Sequence, residues 1–288
     1  MHAYILALIL GVVEGLTEFL PVSSTAHLRI SQALLGVALD DGYWKMFAIV
    51  IQLGAILTLP IYFRERIAKF LATFPQGERG DRGLLTHPLT LVMVAFVCTA
   101  APAFLLTKVI GKHLESLTLM GSALVIGGII MWIIDALYAR GTLTRRTEHV
   151  EEMSLGQAIW IGLCQTLSAV FPGTSRSMST IAAGQLVGMS RASALEFSFF
   201  LSIPTMVVAT CYDLYRSIHP HHGEQAAIGH IVMTSQNWIT LAIGFVVSFI
   251  VAYGVVAWFM NYVRTRGFVP FAIYRIIVGA AVLWWAMK

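Results

Sequence analysis

Four residues within the stretch EGLTEFLPVSSTAH (14–27) have the types and spacing that chemistry needs. Glu14 and Glu18 are four apart, so on a helix their carboxylates share a face. Ser24 and His27 are three apart, one turn of the same face, which is the arrangement of a hydroxyl nucleophile beside an imidazole acid or base. Between the pairs, Pro21 interrupts the helix, and Ser23 and Thr25 flank the serine. A second stretch, PGTSRS (172–177), has a similar break, with Thr174, Ser175 and Ser177 around Arg176. Hydroxyl residues after a break are helix-start signals, and the free N–H groups of a helix start bind anions, phosphate above all. Arg176 adds a planar fork suited to phosphate oxygens. Together these residues predict a phosphate or diphosphate site with Ser23, Thr25, Thr174, Ser175, Ser177 and Arg176 as binding groups, beside Ser24 and His27 as a candidate nucleophile and acid–base pair and Glu14 and Glu18 as neighbouring acids. The carboxylates either orient His27 or hold a divalent cation, magnesium or calcium, with Glu14 and Glu18 as its ligands. A competing reading makes Arg176 and the acids a structural ion pair between the two breaks.

The elements that carry these groups belong in a membrane. The chain is 57% hydrophobic and 12% charged with a mean hydropathy of +0.76. Apolar runs of about 20 residues, enough to cross a hydrocarbon core, are predicted at Tyr43–Phe63, Pro88–Thr107, Leu117–Tyr138, Leu195–Leu214, Trp238–Phe259 and Phe271–Met287. Two further stretches, 1–36 and 155–190, are interrupted by proline, and neither half is long enough to cross alone. They read as re-entrant helix–break–helix hairpins, which lipid tolerates where the broken backbone faces protein or water. The expected fold is therefore an all-α polytopic membrane protein of six transmembrane helices plus two re-entrant hairpins. The N-terminal stretch has no basic leader and contains two glutamates, so it reads as part of the mature chain rather than as a signal peptide. A carboxylate or arginine at a helix centre in a bilayer costs about 2.5–3.5 kcal/mol, so Glu14, Glu18 and Arg176 must be hydrated, paired or bound to a ligand.

A shift of 151 residues superposes Gly11 on Gly162, Leu16 on Leu167, Pro21 on Pro172 and Ser24 on Ser175, and it also lays Gly128 on Gly279. The chain thus reads as a single transmembrane domain of two repeats, about 1–140 and 152–288. One hairpin and three crossings per repeat force the second to start from the opposite face, so the repeat is inverted and its breaks meet near the midplane. Arg64, Arg66, Lys69, Arg79, Arg82, Arg140, Arg145, Arg146, Arg264 and Arg266 fall on one face, with Arg191 near it, against Lys45, Lys108, Lys112, Arg216 and Lys288 on the other. The excess makes the first face cytoplasmic and leaves the site open to the outer side.

The blocks EGLTEFLPVSSTAH (14–27) and PGTSRSMST (172–180), with IQLGAI (51–56), SALEFSFFLSIP (193–204) and PFAIYR (270–275), resemble the bacterial undecaprenyl-diphosphate phosphatases of the bacitracin-resistance type, in order over nearly the whole chain. The resemblance implies a plasma-membrane (inner-membrane) enzyme that hydrolyses undecaprenyl diphosphate to undecaprenyl phosphate and inorganic phosphate. Such an enzyme recycles the lipid carrier for peptidoglycan and other envelope polymers. It also implies that Glu14, Glu18, Ser24, His27 and Arg176 are functional residues. Ala26 and Met178 stand where that family usually has glycine, and both add bulk beside the expected site.

Ser24 as nucleophile with His27 relaying its proton, His27 as nucleophile, and His27 activating water all fit these residues. A polyprenyl-phosphate flippase is the rival class, because inverted repeats with broken helices are how carriers are built. Membrane lipids and a polyprenyl diphosphate are the expected partners, and the net charge of +4 sets orientation rather than pointing to nucleic acid. Among the remaining candidates, His219, His221 and His222 lack a metal-ligand pattern, and Cys98, Cys164 and Cys211 read as small buried hydrophobes. Asp135, Asp213 and Arg216 fall near span ends, where snorkelling accounts for them. Arg191, Glu196 and Arg275 read equally as structural partners or as substrate contacts, and Trp284 and Trp285 as an interfacial anchor.

Overall fold

The structure, a computed structural model, describes residues 2–78, 80–106, 116–143, 146–218 and 233–287, without the side chains of 216–218. Arg79, Lys108, Lys112, Arg145, His219, His221, His222, Lys288 and the Arg216 side chain lie outside it. The described residues form the helices α1 (Ala3–Thr17), α2 (Ser24–Leu34), α3 (Gly42–Tyr62), α4 (Arg64–Thr73), α5 (Pro88–Leu105) and α6 (Leu117–Ala139). They continue as α7 (Leu155–Val170), α8 (Arg176–Leu186), α9 (Arg191–Ile218), α10 (Ser235–Thr265) and α11 (Val269–Ala286). There is no strand among these residues, only an isolated bridge between Thr147 and Met189.

Six helices, α3, α5, α6, α9, α10 and α11, are long and apolar enough to cross a membrane, and they match the six predicted runs. Their outward faces explain why they need lipid. On α6, Ile126, Ile129, Ile130 and Ile133 are exposed at helical spacing, whereas Leu124, Gly128, Met131 and Asp135 are buried. A stripe of isoleucines this wide would aggregate in water and is the solvated face in a bilayer. The chain is thus a multi-pass membrane protein.

Lipid tails compete equally with side chains for apolar contact, so helices in a bilayer associate where small residues let backbones approach. Between α6 and α11 a Cβ on Gly121 would lie 3.2 Å from the Gly279 carbonyl oxygen, and one on Gly128 would lie 2.8 Å from that of Ala272. Gly121 and Ala272 are 151 apart, as are Gly128 and Gly279, so the two contacts are one contact made twice. The helices that precede the two breaks pair likewise: Gly11 of α1 faces Gly244 of α10, and Gly162 of α7 faces Ala95 of α5.

The two helix–break–helix segments share a backbone. Ser23 (φ 75°) and Ser175 (φ 73°) are the only non-glycine residues with positive φ among the described residues. A left-handed serine is strained, so its surroundings must hold it there. After each break the second arm runs eleven residues and closes on a left-handed glycine, Gly36 or Gly188, whose N–H bonds Ala33 or Gln185. Serines, second arms and glycines are each 152 apart, whereas Pro21 and Pro172 are 151 apart. The second break holds one extra residue between its proline and its left-handed serine. This corrects the alignment read from sequence: Ser23 is the counterpart of Ser175, and Ser24 that of Arg176.

Two other expectations are revised. Asp135 does not snorkel: it is buried, pairs with Arg191 at 2.7 Å and accepts the N–H of Phe268 at 2.8 Å. Of the free cysteines, Cys211 is exposed and Cys98 and Cys164 are half-buried. Glu196 meets Arg66, which also holds Glu151, so this group ties α4 to α9. Trp284 is 60% exposed, in keeping with an anchor.

Candidate active site

Glu14 lies on the last turn of α1 and Glu18 at its C-cap, and both are buried. The break then turns the chain so that Ser24, first residue of α2, donates its hydroxyl to Glu18 Oε2 at 2.5 Å. From the other break, Arg176, first residue of α8, reaches Glu18 Oε1 with Nη2 at 3.3 Å. Its Nη1 donates to the Ser202 hydroxyl, which itself donates to the Ser198 carbonyl at 2.6 Å. One carboxylate therefore joins a hydroxyl from the first break to a guanidinium from the second. The ion pair of the competing reading joins the breaks, and the hydroxyl shares its carboxylate.

The break backbones are knitted together. Ser177 donates to the Leu20 carbonyl at 2.9 Å, and Ser175 caps α8 by accepting the Met178 N–H. His27 Nδ1 lies 2.8 Å from the Ser23 carbonyl, which can only accept, so Nδ1 carries the proton. Its Nε2, 2.8 Å from the Tyr274 hydroxyl, then accepts from that phenol, and the two rings stack with centroids 5.5 Å apart. Both ring nitrogens are engaged away from Ser24. The group in position to take the serine proton is Glu18, a geometry that sequence spacing favoured for His27.

Of the other expected binding residues, Ser23 is buried with its carbonyl on His27, and Thr174 is half-buried with its carbonyl on Arg275. Thr25 is exposed and outside the hydrogen-bonded set. Ala26 packs with Met120 and Leu124, and Met178 is buried in the main core, so the bulk at these two positions is absorbed by packing.

Several groups remain unmet. Glu14 Oε1 and Arg176 Nε are buried without hydrogen-bond partners. Among the described residues no backbone carbonyl accepts from the N–H groups of Ser24, Thr25, Arg176 or Ser177. In a low-dielectric interior each unmet buried group costs about 1–3 kcal/mol. An anion between the breaks would relieve the N–H groups and Arg176 together.

Sequence reasoning missed Tyr274 and Ser202. Both lie in quoted blocks, but neither carries a charge that marks it in an apolar run. From sequence Arg275 reads equally as a structural partner or as a substrate contact. It is wholly buried, and its guanidinium spans backbone carbonyls rather than meeting an acid.

No group of three or more His, Cys, Asp or Glu side chains is arranged to hold a metal among the described residues. Glu14 keeps one oxygen free, while both oxygens of Glu18 are engaged. This donor set fits only an ion that draws its remaining ligands from water or phosphate, as magnesium does.

A helical chain with six spans long and apolar enough to cross a membrane, in which two polar breaks bring together an acid, a hydroxyl and an arginine, is a multi-pass membrane protein with a candidate anion site. Residues 7–281 match the family model described as bacitracin resistance protein BacA, and the chain belongs to that family. It is 71% identical over 289 residues, 100% of both chains, to a protein of Koribacter versatilis (strain Ellin345) named undecaprenyl-diphosphatase. Proteins of the same name from Caldanaerobacter subterraneus subsp. tengcongensis and Bradyrhizobium sp. (strain ORS 278) are 39% and 42% identical, covering 98% and 95% of this chain and 96% and 93% of their own.

Proposed function

We propose that the chain hydrolyses undecaprenyl diphosphate to undecaprenyl phosphate and inorganic phosphate at the Glu18–Ser24–Arg176 cluster. It is an undecaprenyl-diphosphatase, and its activity regenerates the lipid carrier for envelope polymers and confers bacitracin resistance. The observation that carries the site assignment is the 2.5 Å bond from Ser24 to Glu18, whose other oxygen meets Arg176.

Ser24 Oγ attacks the terminal phosphorus in line while its proton passes to Glu18. The bond to the bridging oxygen breaks, and undecaprenyl phosphate leaves. Water then attacks the phosphoserine, releasing inorganic phosphate and restoring the hydroxyl. Arg176 and the open N–H groups stabilise charge on the transferring oxygens, where such donors contribute most. His27 holds the left-handed Ser23 through its carbonyl and keeps Nε2 on Tyr274. A divalent cation, magnesium or calcium, would bind through the free Glu14 oxygen together with diphosphate oxygens and would offset phosphate charge. A cavity of about 400 Å³ between α6, α7 and α8, lined by Ile126, Ile130, Leu167, Phe171 and Ala182, reaches Thr174 of the second break and suits part of the prenyl tail.

The breaks are the turning points of two re-entrant hairpins in an inverted repeat. The matched left-handed serines, the paired Gly121 and Gly128 contacts, and the crossing of each first arm onto a span of the other half support this reading. The domain is then one transmembrane unit of two halves, about 1–140 and 152–288. The lysine and arginine excess orients it in the plasma membrane with the site open to the outer side. A pure flippase has no use for a serine hydroxyl held on a carboxylate.

Detergent-solubilised protein, with no membrane to cross, should release phosphate from a polyprenyl diphosphate, and Ser24→Ala should abolish it. Turnover that appears only in sealed vesicles would sink the hydrolase reading.

A further inference from the structure

Arg275 sits in the middle of α11 with its guanidinium wholly buried, and no carboxylate pairs with it among the described residues. It donates instead to five main-chain carbonyls: Pro21 at 3.0 Å, Gly173 at 3.1 Å, Thr174 at 3.0 Å, Ala123 at 3.1 Å and Leu124 at 3.4 Å. Three of these belong to the two breaks and two to α6. A buried cation is costly in lipid and is kept where it serves a site.

The choice of carbonyls carries the argument. In a helix the N–H of residue i bonds the carbonyl of residue i−4. The Pro21, Gly173 and Thr174 carbonyls are therefore the natural acceptors for the N–H groups of Thr25, Ser177 and Met178. With these carbonyls turned onto Arg275, Thr25 and Ser177 have no backbone acceptor among the described residues, and Met178 bonds the Ser175 hydroxyl instead. Carbonyl and N–H of one peptide plane point in opposite directions, so a guanidinium behind the breaks also sends the Ser175 N–H away from itself.

We propose that Arg275 is a positioning residue for phosphoryl transfer: by holding the carbonyls of both breaks it keeps the two half-helix starts open and aimed at one diphosphate. The inference rests on the hydrolase reading above. Gly127 supplies an independent handle on it. A Cβ at Gly127 would collide with Arg275 Nη2, so Gly127→Ala shifts the guanidinium while keeping its charge.

The test uses full-length solubilised protein, with kcat and KM for farnesyl diphosphate, inhibition by inorganic phosphate, and the thermal midpoint measured together. Lysine keeps the charge but cannot span five carbonyls. Arg275→Lys should lower kcat per folded molecule about 100-fold, the scale expected for a misplaced cradle, and raise the phosphate inhibition constant about tenfold, with KM moving less than about threefold. Gly127→Ala should move kcat and phosphate inhibition the same way by about tenfold. A merely structural role lowers the midpoint but leaves kcat per folded molecule and phosphate inhibition within about twofold of wild type, which overturns the proposal. Should Arg275→Lys fail to fold, Gly127→Ala decides alone by the same criterion. Wild-type protein that releases no phosphate would refute the hydrolase reading itself.

Discussion

The two breaks have one backbone and opposite chemistry. Each has a left-handed serine, Ser23 or Ser175, followed by an eleven-residue arm and a left-handed glycine. At the first position of the arm, however, the first break carries Ser24 and the second Arg176, and both reach the same carboxylate, Glu18. The preceding arms diverge too. α1 supplies Glu14 and Glu18, while at the position of Glu14 α7 has Gln165, whose amide settles on Thr99 and Thr205. One backbone pattern thus supplies two helix starts, and different side chains at the same position give them different chemistry. Two arginines would repel each other, and two serines would leave a phosphate without a counter-charge.

That division of labour predicts a graded series. Ser24→Ala should have the largest effect, a loss of about 10³-fold or more in phosphate release by solubilised protein, because it removes the group that forms the new bond. Near-normal turnover would eliminate the serine as nucleophile. Arg176→Lys should follow at about 10²-fold, since a single ammonium cannot hold Glu18, Ser202 and a phosphate as a planar fork does. If lysine suffices, the second break contributes only charge. Glu14→Gln should cost about tenfold and reduce the response of turnover to added magnesium after chelation, because it neutralises the free oxygen available to a cation. An unchanged magnesium response would remove Glu14 from any cation site.

Much of this was legible because bilayers penalise polarity so heavily. Six apolar runs give six spans, and Glu14, Glu18 and Arg176 stand out by their cost alone. Ser24 and Arg176 were visible as residues but not as counterparts. The extra residue in the second break shifts the structural register by one, and periodicity cannot locate an insertion inside a break. The role of Arg275 was illegible for a different reason: its partners are main-chain carbonyls, which every residue has, so nothing in the sequence marks them. Asp135 was misjudged because closeness to a predicted span end says nothing of which neighbours close over it.

His27 gives the finest test of the comparison, because half of what it does is repeated in the second break. Its counterpart, Ser179, donates to the Ser175 carbonyl at 3.1 Å, as His27 Nδ1 donates to the Ser23 carbonyl at 2.8 Å. Holding the left-handed serine is therefore common to both breaks and structural in both. The bond from Tyr274 to Nε2 has no such counterpart. Tyr274→Phe removes it alone, keeping the stacked ring and the Nδ1 bond, and Nε2 of the half-buried His27, in an exposed contact, can take water instead. The expected outcome is a three- to tenfold loss of kcat, about 1 kcal/mol, the scale of one net hydrogen bond. A loss as deep as that of Ser24→Ala would instead mean that Nε2 carries a proton or the phosphoryl group during turnover, with Glu18 reduced to holding the serine in place.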